Sequence, residues 1–443
     1  MVKRKKLQIT PGKVCDLFKI MIYKPLSVQF EITESCTHKC RHCYNYYSHN
    51  INTFSTNNDI INKIAEQEFF DITLTGGDPL CAKPQMYNAI ISFKKENMDV
   101  RINSNLHLLK ENDVDKIAEL GVNSILSSIL GSNEQTHDSL TGVKNSFTKL
   151  NQSLRYLTER KLKVAMNMVV NKKNIQEVYD TGKFIFENFG IDYFCATPIT
   201  VSPGRDLTDI SLSLKEYIQT LDILLKLERD LGIKTDSLNP SIPCMFPERE
   251  QEKYRKFFEE RACGAGKGTL TFSAKGDIRP CSQENRDYGN ILNNSLESIL
   301  EKMYEWREGK YIPKECSPCE YVDLCKGGCR VTAEANSGKL NGPEPYFIHP
   351  VKRNISIKDE KKINLKDLKI QKGNIRIRKE QDNLTTVYIS PKINATLTPI
   401  ELEIFKRFLS RKNYLEILKE VKNEKVFNEV CTKLSKRKLL INY

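Results

Sequence analysis

The chain has 443 residues, 39% apolar and 28% charged, a balance that excludes a disordered or fibrous protein and leaves room for about three domains at ~150 residues each. No stretch approaches the roughly 18 uninterrupted apolar residues of a membrane span. The start, MVKRKKLQITPGK, is basic without the apolar core of a secretory signal, so a cytoplasmic protein is expected.

From residue 27 to about 232 the hydrophobic pattern alternates between two periods. Strand-like runs are predicted at 27–33, 71–75, 99–104, 123–129, 163–170 and 191–199, with helical spacing between them at 58–69, 83–97 and 174–189. A last long amphipathic helix is predicted over 215–232. Six strand–helix units imply a parallel sheet. Six are too few for a closed eight-unit barrel, so the expected fold class is α/β, a partial (β/α)6 barrel with its ligands at the C-terminal ends of the strands.

Beyond about residue 240 the pattern changes. Residues 244–347 hold seven of the fourteen cysteines and few periodic runs, which reads as a small loop-rich domain held together by metal. Residues 350–443 carry 23 Lys and Arg against 11 Asp and Glu, a net of +12 out of the chain's +13. Two strand-like stretches there, 367–379 and 385–391, precede helical patterns at 398–409, 414–422 and 425–437, the order of a winged-helix-like α+β domain. The expected boundaries are therefore 1–26 for a basic extension, 27–240 for the barrel, 241–349 for the cysteine-rich domain and 350–443 for the basic one. A basic module on a neutral body points to an acidic partner.

Fourteen cysteines in a reducing compartment point to metal or redox chemistry rather than disulfides. The first predicted strand runs into CTHKCRHC, which puts Cys36, Cys40 and Cys43 in one strand-end loop. Three such thiolates can ligate three irons of a [4Fe–4S] cube and leave the fourth open. A zinc site completed by His38 or His42 is the alternative. The second strand ends in Gly76-Gly77-Asp78-Pro79, where two glycines let backbone approach a ligand closely.

This pair of motifs resembles the radical S-adenosylmethionine (SAM) superfamily. The resemblance implies that Cys36, Cys40 and Cys43 hold the SAM cluster and that Gly76, Gly77, Asp78 and Pro79 meet the SAM methionine amino group. Asp78 stands where the family commonly has Glu, and His42 where it usually has an aromatic. Asn103, Ser104 and Asn105 at one strand end and Ser128 at the next are the further expected SAM contacts. The segment after Ser128 also resembles the family, with Leu130 where an acid is frequent.

Further on, Cys263-x12-Gly276-x4-Cys281 and the quartet Cys316, Cys319, Cys325 and Cys329, with gaps of 2, 5 and 3, resemble the SPASM domain of peptide-modifying radical SAM enzymes. The resemblance implies one auxiliary cluster on Cys263, Cys281 and Cys329, with Cys244 as a candidate fourth ligand, and a second on Cys316, Cys319 and Cys325. Three [4Fe–4S] clusters are thus expected. Phe347 stands where the family places a later cysteine, which leaves Glu344, His349 or an open iron as ways to complete the second cluster.

The implied function is radical modification of a ribosomally made peptide, in particular an oxidative thioether or carbon–carbon crosslink, with auxiliary clusters as electron acceptors and flavodoxin or ferredoxin as reductant. Residues 350–443 resemble PqqD-like leader-binding domains, which implies a precursor peptide with an acidic leader as partner. Two other readings stand beside this one: a radical SAM activator of another enzyme or of a cofactor precursor, and a nucleic-acid-binding iron–sulfur protein.

Overall fold

The computed structural model describes residues 24–45, 54–259, 261, 263–352, 364–410, 412–421 and 423–442. The basic N-terminal extension up to residue 23 lies outside the described residues. The described chain divides into two compact units, one from Ser27 through the second cysteine group and one formed by the segment before Ser27 together with the C-terminal residues.

In the larger unit, six strands follow the predicted runs closely: β1 (Ser27–Thr33), β2 (Asp71–Gly76), β3 (Asp99–Ser104), β4 (Ser124–Ser128), β5 (Val164–Val170) and β6 (Tyr193–Pro198). Each is parallel to its neighbour in sequence order, and helices such as Lys83–Lys95 and Val178–Phe189 connect them. Three further strands widen the sheet beyond the six expected. Strand β7 (Lys234–Asp236) joins β6, β8 (Thr269–Phe272) runs parallel to β1, and β9 (Ile278–Arg279) turns back antiparallel to β8. The stretch between Cys263 and Cys281, read as loop-rich, thus adds a hairpin to the barrel sheet.

Period-two burial explains the layering. Val28, Phe30 and Ile32 of β1 and Val100 and Ile102 of β3 are buried in the core, with Ile60, Ile61 and Ile64 of the helix Asn58–Ala65 and with Phe93. Phe30 meets Phe93 edge-on at 6.2 Å between ring centres; each such fully buried side chain contributes about 1.5–3 kcal/mol. The helix expected over 58–69 ends at Ala65, because Glu66 caps it and Glu68 takes a left-handed φ of 59°. The long helix spans Leu214–Leu231, opened by a Ser213–Glu216 capping box and closed by Gly232 at φ 68°.

The smaller unit has the α+β composition expected for residues 350–443. Strands β10 (Leu368–Ile370), β11 (Arg376–Lys379), β12 (Thr385–Ser390) and β13 (Ile393–Leu397) precede helices Pro399–Leu409, Tyr414–Glu420 and Glu424–Lys436, and β14 (Leu440–Asn442) closes the chain. The sheet β11-β12-β13 is antiparallel, and β14 pairs with β10. Its own core includes Ile404, Phe405, Ile417, Phe427, Cys431 and Leu434. Within this unit the buried Arg378 donates to the carbonyl oxygens of Lys24, at 2.7 Å, and Pro25, at 3.1 Å.

Candidate functional site

The loop after β1 carries Cys36, Cys40 and Cys43, and the turn after β2 packs directly under it. The Gly77 amide donates to the Thr33 carbonyl at 2.8 Å, and the Asp78 amide to that of Ser35 at 2.7 Å. A Cβ on Gly77 would stand 2.2 Å from the Ser35 oxygen, and one on Gly76, at φ 136°, 2.3 Å from the Thr33 oxygen. Only glycine permits this approach. Asn45, just past the third cysteine, donates back to the Gly76 carbonyl at 3.2 Å.

The three thiols are neighbours and half-buried. Burial, then the nearby Asp78 charge, pushes the Cys36 thiol up to about 12. Burial likewise raises Cys40 and brings Cys43 to about 11. Metal binding must displace those protons. Among the described residues no three His, Cys, Asp or Glu side chains converge on one point as a single-metal site.

Asp78 is buried and points toward β3. It accepts from the Ser104 hydroxyl, the Asn105 amide at 2.7 Å and the Leu80 amide at 2.9 Å. Burial pushes its carboxyl up to about 6, against the pull of these donors. Ser104, expected at the ligand, thus spends its hydroxyl on Asp78. Asn105 reaches the cysteine loop, donating to Thr37 Oγ1 at 3.2 Å and to Cys36 Sγ at 3.6 Å. Asn103 points to the opposite face of β3 from Ser104 and is half-buried. Ser128 is half-buried too, and lies in register with Asn167 of β5, which pairs in turn with Cys195 and that with Asp236.

Several residues of this interior escaped the sequence reading. Asn167 accepts from the Thr197 hydroxyl at 2.7 Å. Glu31 of β1 forms a buried ion pair with Arg279 of β9; a separation of 248 residues leaves no local signal for it. His107 and His137 escaped it as well; His38, the alternative zinc ligand of the sequence reading, lies 5.4 Å from His107, ring centre to ring centre, and burial lowers both His38 and His137 to about 4.

The segment after β6 covers the cysteine loop. Arg41 binds Asp209 through two nitrogens, at 2.5 and 2.7 Å, and Arg205 donates to the Arg41 carbonyl. Behind it opens a cavity of about 300 Å³ whose walls include Val201, Arg205, Tyr217, Cys329, Glu344 and Tyr346. The cavity lies at the C-terminal end of β6, where this fold class holds its ligands.

The second cysteine group forms two neighbourhoods. Cys263, Cys281 and Cys329 lie within electrostatic reach of one another. Cys316, Cys319 and Cys325 line a separate small pocket. Cys244, expected beside Cys263 and Cys281, lines that second pocket instead, because its short 3-10 turn, Pro243–Met245, folds back onto the quartet. His349 also borders this pocket, whereas Glu344 faces the larger cavity with Cys329. Soft, clustered thiols of this kind fit iron–sulfur clusters.

Comparison with known proteins agrees. Residues 30–185 match the radical SAM superfamily and residues 263–320 match the SPASM iron–sulfur cluster-binding domain. An AdoMet-dependent heme synthase of Methanosarcina barkeri is 23% identical over 347 residues, covering 74% of this chain and 98% of that protein. The antilisterial bacteriocin subtilosin biosynthesis protein AlbA of Bacillus subtilis is 25% identical, over 72% of this chain and 69% of its own. The crystal structure of Streptococcus suis SuiB bound to its precursor peptide SuiA superposes with a TM-score of 0.60 at 17% identity, over 73% of this chain and 76% of that one. This chain thus carries a radical SAM domain, whose cofactors are S-adenosylmethionine and a [4Fe–4S] cluster, followed by a SPASM iron–sulfur cluster-binding domain.

Proposed function

We propose that the enzyme matures a ribosomally synthesised peptide by forming an oxidative crosslink, a thioether or a carbon–carbon bond. Cys36, Cys40 and Cys43 would hold the SAM cluster, and the Gly76–Pro79 turn with Asn103 and Ser128 would receive SAM. When bound, these groups supply a 5′-deoxyadenosyl radical that removes a hydrogen atom from an unactivated carbon. The chain's own part is placement. Gly76 and Gly77 bring backbone to the cofactor, Asp78 fixes their turn through Ser104 and Asn105, and the exposed Arg41–Asp209 pair ties the cysteine loop to the segment after β6.

The observation that carries the reading is Cys329, a thiol of the first auxiliary group that forms a wall of the cavity beyond β6. A substrate held there would lie between the barrel's radical chemistry and a second redox site, as a net oxidation requires. The terminal unit supports a peptide in particular. Among the described residues its three-stranded sheet has β11 and β13 as its outer strands, either of which could take an extended leader as an added strand. Its positive charge favours an acidic leader.

The heme synthase relatives favour a second reading, in which the same core oxidises a tetrapyrrole. About a quarter of this chain has no counterpart in the first of them. The test is anaerobic incubation of the cluster-loaded enzyme, SAM and reductant with short peptides from any open reading frames found beside its gene, followed by mass spectrometry. Loss of two hydrogens per modified peptide, dependent on its leader, is expected. An unchanged peptide, with turnover of an iron tetrapyrrole instead, would overturn the proposal.

A further inference from the structure

We propose that Cys244 is the fourth protein ligand of the second auxiliary cluster, completing a four-thiolate site with Cys316, Cys319 and Cys325. The inference rests on the SPASM domain holding clusters and is independent of the substrate.

Four observations converge on it. Cys244, Cys316, Cys319 and Cys325 line one pocket, closed on another side by Phe347. The Cys244 thiol is within electrostatic reach of Cys316, Cys319 and Cys325, whereas the first auxiliary group is coupled within itself. The approach is built into the backbone, for a Cβ on Gly328, at φ 86° between Cys325 and Cys329, would stand 2.6 Å from Ile242 Cγ2. Any side chain there would push the Cys244 turn off the quartet. Finally, the Ile348 amide lies close enough to the Cys244 sulfur to favour its thiolate. The thiol therefore stands beside Phe347, where the downstream segment presents an aromatic ring and no donor.

The chemistry suits the place. A cube on three thiolates leaves one iron to water or a substrate, whereas a fourth thiolate closes it. A backbone amide beside the sulfur, as that of Ile348 is, is the kind of outer contact that orients a ligating thiolate and tunes its potential. His349, the nearest competing donor, has Nδ1 2.9 Å from the Pro350 oxygen and is exposed. With Cys244 in place the second cluster is a saturated, structural or electron-relaying site, and substrate binding falls to the cavity side of the domain.

The test leaves Cys244 itself intact at first. Anaerobically purified wild type, Cys316→Ala and Cys263→Ala proteins are alkylated under native conditions, and labelling is mapped by mass spectrometry beside iron and sulfide content. Cys195 and Cys431, buried outside both groups, report protection by burial alone. Cys244 is expected to become labelled together with Cys319 and Cys325 in Cys316→Ala, which loses about four irons, and to stay protected in Cys263→Ala. Protection of Cys244 in Cys316→Ala, or its exposure in Cys263→Ala, would overturn the assignment. Cys244→Ala should lower the second site's iron and give a three-iron signal on oxidation, with recovery in Cys244→Ala/Phe347→Cys. Unchanged iron in a folded Cys244→Ala also overturns it. No iron loss in Cys316→Ala would instead defeat the premise that this group holds a cluster.

Discussion

The hydroxyl of Ser104 donates to both carboxylate oxygens of Asp78, at 2.9 and 3.1 Å, and so ties the glycine turn of one strand to the end of the next. The link is rigid because the Asn105 amide binds the same carboxylate. Asp78→Ala would leave these donors and the Leu80 amide without their acceptor inside the fold. It should cost about 1–3 kcal/mol in urea unfolding and weaken SAM binding. Asp78→Asn keeps one acceptor oxygen and should cost less.

Gly77→Ala tests the close approach itself. Its methyl group must displace the Ser35 carbonyl, the chain leading into Cys36. SAM affinity should fall roughly tenfold or more, which is about 1.4 kcal/mol, while secondary structure by circular dichroism is retained. Undiminished affinity in a calorimetric titration would mean that the turn does not meet SAM.

Iron removal separates the centres. If three cubes are present, anaerobically purified protein should hold about twelve irons, and the Cys36/Cys40/Cys43→Ala variant about eight. A fall from about four to none would leave the SPASM-domain cysteines without clusters.

The Glu31–Arg279 pair joins the barrel's first strand to the hairpin at its edge. Arg279→Ala strands a buried carboxylate and should destabilise the fold by about 3–5 kcal/mol. Replacing both partners by Met should cost less than Arg279→Ala alone, which denaturant titration of the three proteins would show.

Glu344 gives a pH dependence. Burial pushes its carboxyl up to about 7 from the ordinary 4.5, so folding favours the protonated acid. Its contribution to stability is complete below pH 4.5 and is lost as pH rises through 7. Glu344→Gln should therefore match wild type near pH 4.5 and exceed it in thermal midpoint at pH 8.

Much of this was legible in the chain. The six barrel strands announced themselves because Val, Ile and Phe recur in short runs between helical stretches, and Gly77 because its turn follows one of them. Strands β7 and β9, of three and two residues, are too short to carry a period. The stretch 367–379 read as continuous but is two strands, parted near Gly373, whose φ is 156°, and β10 finds its partner in β14 at the other end of the unit. The sequence groups Cys244 with Cys263 and Cys281 rather than with Cys316, Cys319 and Cys325, because its neighbours come to it only through tertiary folding. Ser104 and Asn105 were placed correctly at a strand end, but their engagement with Asp78 depends on the neighbouring strand.

The bonds from Arg378 to the carbonyls of Lys24 and Pro25 have a bearing on biosynthesis. The larger unit is, in sequence, an insertion within the smaller one, whose first piece is synthesised before it and whose strand β14 is synthesised after it. Barrel and cysteine-rich segments can therefore fold, and take up their iron, while the basic unit is still waiting for its own C-terminal half. Under the peptide-maturase reading, the surface that captures substrate would form only after the chemistry that acts on it has been housed.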